Sequence, residues 1–134
     1  MIYLAAPYWH EDEKVREWRH NRINEAAALL LLKLRKSIYS PITHNVPLSK
    51  ILAEKYHCLT GPNKELGHNF WVYTVDFPIL RKCDSLAILM LDGWAVSKGV
   101  KEETSLAEVA KMEIQYLKPI IVNDEIIDLI SINI

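Results

Sequence analysis

The chain has 134 residues, half of them hydrophobic and a quarter charged, and a formal net charge of −1. This is the size and balance of one globular domain, residues 1–134, long enough to bury a core without covalent staples. With 16 basic against 17 acidic residues there is no basic excess to hold a nucleic-acid polymer; a small phosphorylated ligand needs only one or two local cations and stays open.

Ile2 to Ala5 is a short continuous apolar run, as a strand buried on both faces requires, and it ends at Pro7. The stretch HEDEKVREWRHNRINEAAALLLLKLRK predicts a long helix. Trp18, Ile23, Ala26, Ala27, Leu30 and Leu34 sit near helical spacing, acidic residues lead and basic residues close it. Ser37 to Ser40 is a second short strand, stopped by Pro41. Val46 to Tyr56 predicts a second helix with Pro47 in its first turn. From His57 to Asn69 the composition turns to Thr, Gly, Pro, Asn and His, a loop long enough for a lid.

A third helix opens at Asn69 or a neighbour and carries FWVYTVDFPILRKC; Pro78 either kinks it or marks its true start. Ser85 to Leu91 is the most hydrophobic strand and belongs at the sheet centre. Asp92-Gly93-Trp94 leads through a loop to Gly99, and a fourth helix is expected from Lys101 to Leu117. Pro119 to Val122 is another buried strand. Asp124 to Ile134 reads as a short helix plus strand or as a tail, its ISINI end as a packed strand or a contact between copies.

The two cysteines, Cys58 and Cys83, form neither a disulfide framework nor a metal-type spacing, which suggests a reducing, cytoplasmic compartment and no metal. MIYLAAPYW is too short for a signal peptide, and the longest apolar run, Ala26 to Leu32, is far short of a membrane span. No membrane partner is expected.

Alternating strands and helices predict an α/β fold with a mainly parallel sheet covered on both faces. Ligands of such sheets bind beyond the carboxyl ends of the strands, near the switch in strand order. Three loops should converge there: Ala6 to His10, Pro41 to Asn45, and Asp92 to Gly99. No dinucleotide or nucleoside-triphosphate glycine motif follows the first strand, and neither a nucleophile-elbow serine nor a Cys/His pair is evident.

On the fourth helix Glu103, Leu106, Ala107 and Ala110 share one stripe, which aims Glu103 from the first turn of the buried face at the strand ends. The positive helix end should help keep it ionised. Spacing leaves two readings open: Glu103 satisfies the helix terminus, or it does chemistry. Ser97 and Gly99 are likewise either a plain cap and turn or an anion site at a helix start. Asp76, in an apolar and aromatic segment, has a partner, a job, or a solvated face. Tyr3 is core or reaches the strand ends. Tyr8, Trp9, Trp71 and Trp94 are packing or stack a flat ligand. His44 in SPITH and the pair Arg16 and Arg19 are structural or meet an anion.

These residues together resemble the nucleoside 2-deoxyribosyltransferase-like superfamily, which includes nucleoside deoxyribosyltransferases and nucleoside 5′-monophosphate N-glycosidases. The opening IYLAAP resembles its first-strand motif. DFPILRKCD is similar to its helix with an aspartate, here Asp76, eight residues before the aspartate that opens the central strand, here Asp84. The S-x-G-V-x-x-E-x-x-x-A segment, here Ser97, Gly99, Val100, Glu103 and Ala107, resembles its loop with the catalytic glutamate, and Lys118-Pro119-Ile120 its step into the next strand. AAPYW, SPITH and LDGW look most like a small branch often carried by phages.

The resemblance spans roughly residues 2 to 122. It implies a flavodoxin-like or Rossmann-like three-layer sandwich with a mainly parallel five-stranded sheet. It makes Glu103 the nucleophile at C1′, has Tyr3 orient Glu103, and has Asp76 hold the sugar or help protonate the leaving base. Tyr8, Trp9, His44, Trp71, Asp92, Ser97 and Gly99 would bind substrate. Ser97, where the transferases commonly carry aspartate, favours a 5′-phosphate and hydrolysis. The first loop carries Ala6 in place of the common glycine and Pro7-Tyr8-Trp9 where the hydrolases have arginine, and the 57–69 segment has no clear counterpart. The resemblance implies no cofactor, a small nucleoside or nucleotide as ligand, and a homodimer or larger assembly. The alternatives are a deoxyribosyltransferase exchanging bases and a non-catalytic nucleotide-binding module.

Overall fold

The computed structural model describes residues 1–60 and 64–132; part of the expected lid, residues 61–63, and the last two residues of ISINI lie outside them. The apolar run forms β1 (Ile2–Ala5), buried along its whole length. It leads to α1 (Glu13–Leu34), whose N-cap Asp12 accepts a hydrogen bond from the Lys14 N–H. Glu13 opens this helix and Lys33 stands in its last turn, complementing the helix dipole. Then comes β2 (Ile38–Tyr39).

The second helix, α2 (Pro41–Glu54), begins five residues before the expected Val46. Ser40 caps it, its Oγ accepting from the Thr43 N–H at 3.2 Å, and Pro41 supplies a preset φ at the first helical position. SPITH is therefore a helix start rather than a loop, and Pro47 sits inside the helix on an exposed face.

The third helical stretch is continuous but not uniform. A short α3 (His68–Phe70) runs into π-turns over Trp71–Asp76, then into α4 (Phe77–Leu80). The Phe77 N–H reaches back five residues to the Val72 carbonyl. Pro78 neither breaks nor starts the stretch. It has no N–H to give, so the wider turns that precede it accommodate the missing bond.

After β3 (Ser85–Leu89), a 3₁₀ turn (Trp94–Val96) leads to α5 (Lys98–Val109). This helix starts three residues before the expected Lys101 and ends eight before the expected Leu117. Lys111 lies in the left-handed region at φ 56°, and the chain turns into β4 (Glu113–Val122). Glu113 to Tyr116 alternates exposed and half-buried positions, and Leu117 is buried; that is the period of a strand, not a helix. The expected Pro119–Val122 strand is only its second half.

Asn123 and Asp124, at φ 52° and 61°, form the two-residue turn into β5 (Glu125–Ile132). Both side chains tolerate left-handed backbone, which suits a tight hairpin. The segment after Asp124 is thus an eight-residue strand, neither a helix plus strand nor a tail.

The fold is α/β, with a five-stranded, mostly parallel sheet in the order β2-β1-β3-β4-β5. β1 is parallel to β2 and β3, and β3 to β4. β3 occupies the middle position, as its hydrophobicity predicts. β5 is antiparallel to β4, where a doubly wound sheet would cross over through a helix. Alternation along β1 and β3 sorts the core in two. Ile2, Leu4, Ala87 and Leu89 pack with Ile23, Ala26 and Leu30 of α1. Tyr3, Ala5, Leu86 and Ile88 pack with Leu80, Val100 and Ala107. No helix among the described residues is long and apolar enough to cross a membrane.

Candidate active site

The carboxyl ends of β1 and β3 diverge into the loops beginning at Ala6 and Met90, and α5 begins beside them. Ser97 caps α5: its Oγ accepts the Val100 N–H at 3.3 Å. As an acceptor there, the hydroxyl keeps its own proton to give. The buried face of α5 carries Val100, Glu103 and Ala107. Ala110 lies beyond the helix and is exposed, and Leu106 is half-buried. The stripe is therefore shorter than expected, and Glu103 falls in the second turn rather than the first.

That shift has an electrostatic consequence. Glu103 is 7% exposed, and burial pushes its carboxyl up to about 8. The negative charges of Asp76 and Glu102 push the same way, while the Tyr3 hydroxyl pulls it down. The expectation that the helix end keeps Glu103 ionised is corrected: one turn from the terminus, desolvation outweighs the dipole. Gly99 leaves space beside this carboxylate, since a Cβ there would stand 4.0 Å from Oε1.

Tyr3 points from β1 towards the same carboxylate and is fully buried. Burial first, then the charges of Glu103 and Asp76, raise its phenol far above its ordinary range, so it is a neutral O–H. The hydroxyl faces Glu103 but makes no hydrogen bond of good geometry among the described residues. Tyr3→Phe removes the group that pulls the Glu103 carboxyl down, so it should move the ionisation of Glu103 to higher pH, read from urea titrations across pH, and slow any reaction in which Glu103 must be held in place.

Asp76 reaches the cluster from the π-turns and is 8% exposed. It has the partner that burial demands: Nδ2 of Asn45 donates to its Oδ1 at 2.8 Å. Burial raises its carboxyl to about 6, against the pull of the Asn45 hydrogen bond and the charges of His44 and His68. Asn45 in turn accepts from His44 Nδ1 at 2.7 Å, and the Tyr39 hydroxyl stands 3.5 Å from that nitrogen. The Tyr39 ring packs against Tyr3 at 5.5 Å and His44 at 5.6 Å. One strand and two helical stretches thus bring Tyr3, Asp76 and Glu103 together, with His44 behind Asn45.

The other expected contacts sit on the rim or away from it. Tyr8, Trp9 and Asp92 are held by backbone. Arg19 Nη1 donates to the Tyr8 and Trp9 carbonyls at 3.2 and 2.9 Å, and Nη2 to the Asp92 carbonyl at 3.0 Å. Arg16 donates to the His10 carbonyl at 2.6 Å and lies over the exposed Trp9 ring. Both arginines brace the first loop rather than line the site as free cations. Trp94 packs edge-on against Tyr116, and Trp71 against Phe70. Trp71 precedes the buried Val72 and is itself half-buried.

An open recess of about 470 Å³ follows Met90, Asp92, Gly93, Trp94, Ala95 and Val96. Its lining includes neither buried carboxylate. Among the described residues no group of three or more His, Cys, Asp or Glu could hold a metal ion.

Sequence reasoning missed Asn45, Tyr39, His68 and Glu102. Asn45 was detectable, because it stands one helical turn after Pro41 on a buried face. Tyr39 was hidden in a two-residue strand. The pair His68–Glu102, with Nε2 2.8 Å from Oε2, spans 34 positions and left no local signal.

Residues 1–118 match a known family, a domain of unknown function designated DUF1937. The chain belongs to the DUF1937 family. The DUF1937 match covers β1 through the first half of β4, so every residue of the buried cluster lies inside it. No curated protein matches this DUF1937 chain.

Proposed function

We propose that this protein hydrolyses the N-glycosidic bond of a nucleoside 5′-monophosphate, with Glu103 as the nucleophile at C1′. The observation that carries the reading is the buried cluster: two carboxylates and a phenol from separate elements, grouped at the carboxyl end of the sheet. Burying two carboxylates costs stability, and pKa values pushed towards neutrality are characteristic of sites that do acid–base or nucleophilic work. The resemblance of the same residues to the nucleoside 2-deoxyribosyltransferase-like superfamily supports it. The two core clusters on alternate residues of β1 and β3 support the three-layer, flavodoxin-like arrangement that goes with it.

In this reading Glu103 attacks C1′, the base departs, and water releases the sugar from the glycosyl ester. Tyr3 orients the carboxylate. Asp76, with one oxygen taken by Asn45, offers the other to a sugar hydroxyl. The 5′-phosphate meets the Ser97 O–H and the free N–H groups of the first turn of α5. Tyr8, Trp9, His44, Trp71 and Asp92 remain candidates for base and sugar contacts, and cytoplasmic action as a homodimer belongs to the same proposal.

The experiment is base release from a panel of ribo- and deoxyribonucleoside 5′-monophosphates, with plain and modified bases, as a function of pH. A nucleophile that must be ionised gives kcat/KM rising with pH up to about 8, the value to which Glu103 is pushed. A rate falling through that range would show that a protonated group, not ionised Glu103, limits the reaction. Exchange outrunning hydrolysis in a two-base mixture would reassign the protein as a transferase. Tight binding without turnover of any nucleotide would leave only a binding module.

A further inference from the structure

The proposed reaction leaves one requirement unmet. A departing base takes the electron pair of the C1′–N bond and needs a proton, and Asp76 already accepts a hydrogen bond from Asn45. His68 opens the helical stretch that carries Asp76. Val72 and Asp76, four apart in the π-turns, both face inwards, and His68 stands four residues before Val72 at the start of the same stretch. Val72 and Asp76 are buried, and His68 stands half-buried at the rim.

From the other side Glu102, the residue before Glu103, holds the His68 Nε2 at 2.8 Å. Lys98 is a further 4.0 Å from Glu102. A carboxylate on one ring nitrogen fixes the tautomer and orientation of an imidazole and leaves the other nitrogen to act. The charge of His68 is also felt at Asp76, where it opposes the effect of burial.

We propose that His68, oriented by Glu102, is the general acid that protonates the leaving base; this rests on the glycosidase reading above. As Glu103 Oε forms its bond to C1′, the C1′–N bond breaks and its electron pair passes to the base. A base ring nitrogen takes the proton from Nδ1 of the imidazolium. When water then opens the ester at C1′, its proton returns to Nδ1 and Glu103 leaves as carboxylate, so both groups are restored.

The test compares His68→Asn with wild type on two substrates: a purine nucleoside 5′-monophosphate, and the same nucleotide methylated at N7. The methylated base departs without needing a proton. The substitution should lower kcat about 100-fold on the plain nucleotide and change turnover of the methylated one less than about threefold. Turnover of the methylated substrate also shows that the variant is folded. Equal losses on both substrates, or no loss on either, would overturn the role of His68 and leave the glycosidase reading standing. If wild type releases base from neither, the glycosidase reading fails and this inference with it.

Discussion

Glu103→Gln should abolish base release, by about 10⁴-fold or more, as removal of an attacking group does, and should at the same time stabilise the protein at alkaline pH. The two effects have one cause. Glutamine fills the same space and keeps a hydrogen-bonding oxygen, but it cannot attack C1′ and cannot ionise. In the folded protein Glu103 holds its proton up to about pH 8, against an ordinary value of 4.5. Between those values the folded state binds more protons than the unfolded state, so stability falls as pH rises through the window. Below it both states are protonated and the site costs nothing extra.

Wild type should therefore lose on the order of 3 kcal/mol between pH 5.5 and 8.5 from this group. Asp76, raised to about 6, adds a smaller loss of the same sign at the acid end of that window. In Glu103→Gln the Glu103 part of the slope disappears. Urea titrations at the two pH values read the stability half, and base release reads the catalytic half. A variant that keeps the wild-type pH slope would show that the buried proton sits elsewhere, whatever happened to activity.

The second large effect is expected at a residue with no chemistry of its own. Arg19→Ala removes three hydrogen bonds that tie the loop after β1 to the loop after β3. Charged hydrogen bonds contribute more than neutral ones, but the contacts are partly exposed, so a loss of about 2 kcal/mol is expected. For a domain of this size that lowers Tm by roughly 5 to 10 °C.

Gly93 makes the test sharper. It holds φ +90°, and a Cβ there would stand 2.9 Å from Nη2 of Arg19. Gly93→Ala should thus destabilise through two routes, backbone strain and a clash with the guanidinium. In the Arg19→Ala background the clash is gone and only the strain remains. The double variant should be more stable than the sum of the singles predicts. Strict additivity in thermal melts would mean that the guanidinium and Gly93 do not meet.

Where the sequence was readable, it was through periodicity. Ile2 to Ala5 and Leu86 to Leu89 are unbroken apolar runs, and they lie in the two adjacent strands of the sheet centre. Glu103 could be placed on a buried face because Ala107 follows one turn later. The misread boundaries each had a local competing signal. Ser40-Pro41 is a cap followed by a favoured first helical residue, but a proline also ends a strand. The exposed and half-buried alternation from Glu113 onward is a strand pattern, but it follows a good helix without an intervening glycine or proline. Asn123-Asp124 makes a tight turn without the glycine that usually announces one. The ionisation of Glu103 is not legible from its helix, because burial is a property of the assembled core. Asn45 against Asp76 and His68 against Glu102 depend on which helices become neighbours, and a linear pattern holds no record of that.

The π-turns of Trp71–Asp76 loosen the tie between residue count and facing. In an α-helix each residue turns the chain by about 100°, so eight residues from His68 would carry Asp76 about 80° past two full turns; the wide turns rotate less per residue and take up that excess. A chain one residue shorter between those positions, in regular α-geometry, would turn by about 700° and return the aspartate to much the same face. The wide turns thus absorb one residue of helix length without turning the carboxylate away from Asn45, so the spacing of these two residues can change by one while the buried face is kept.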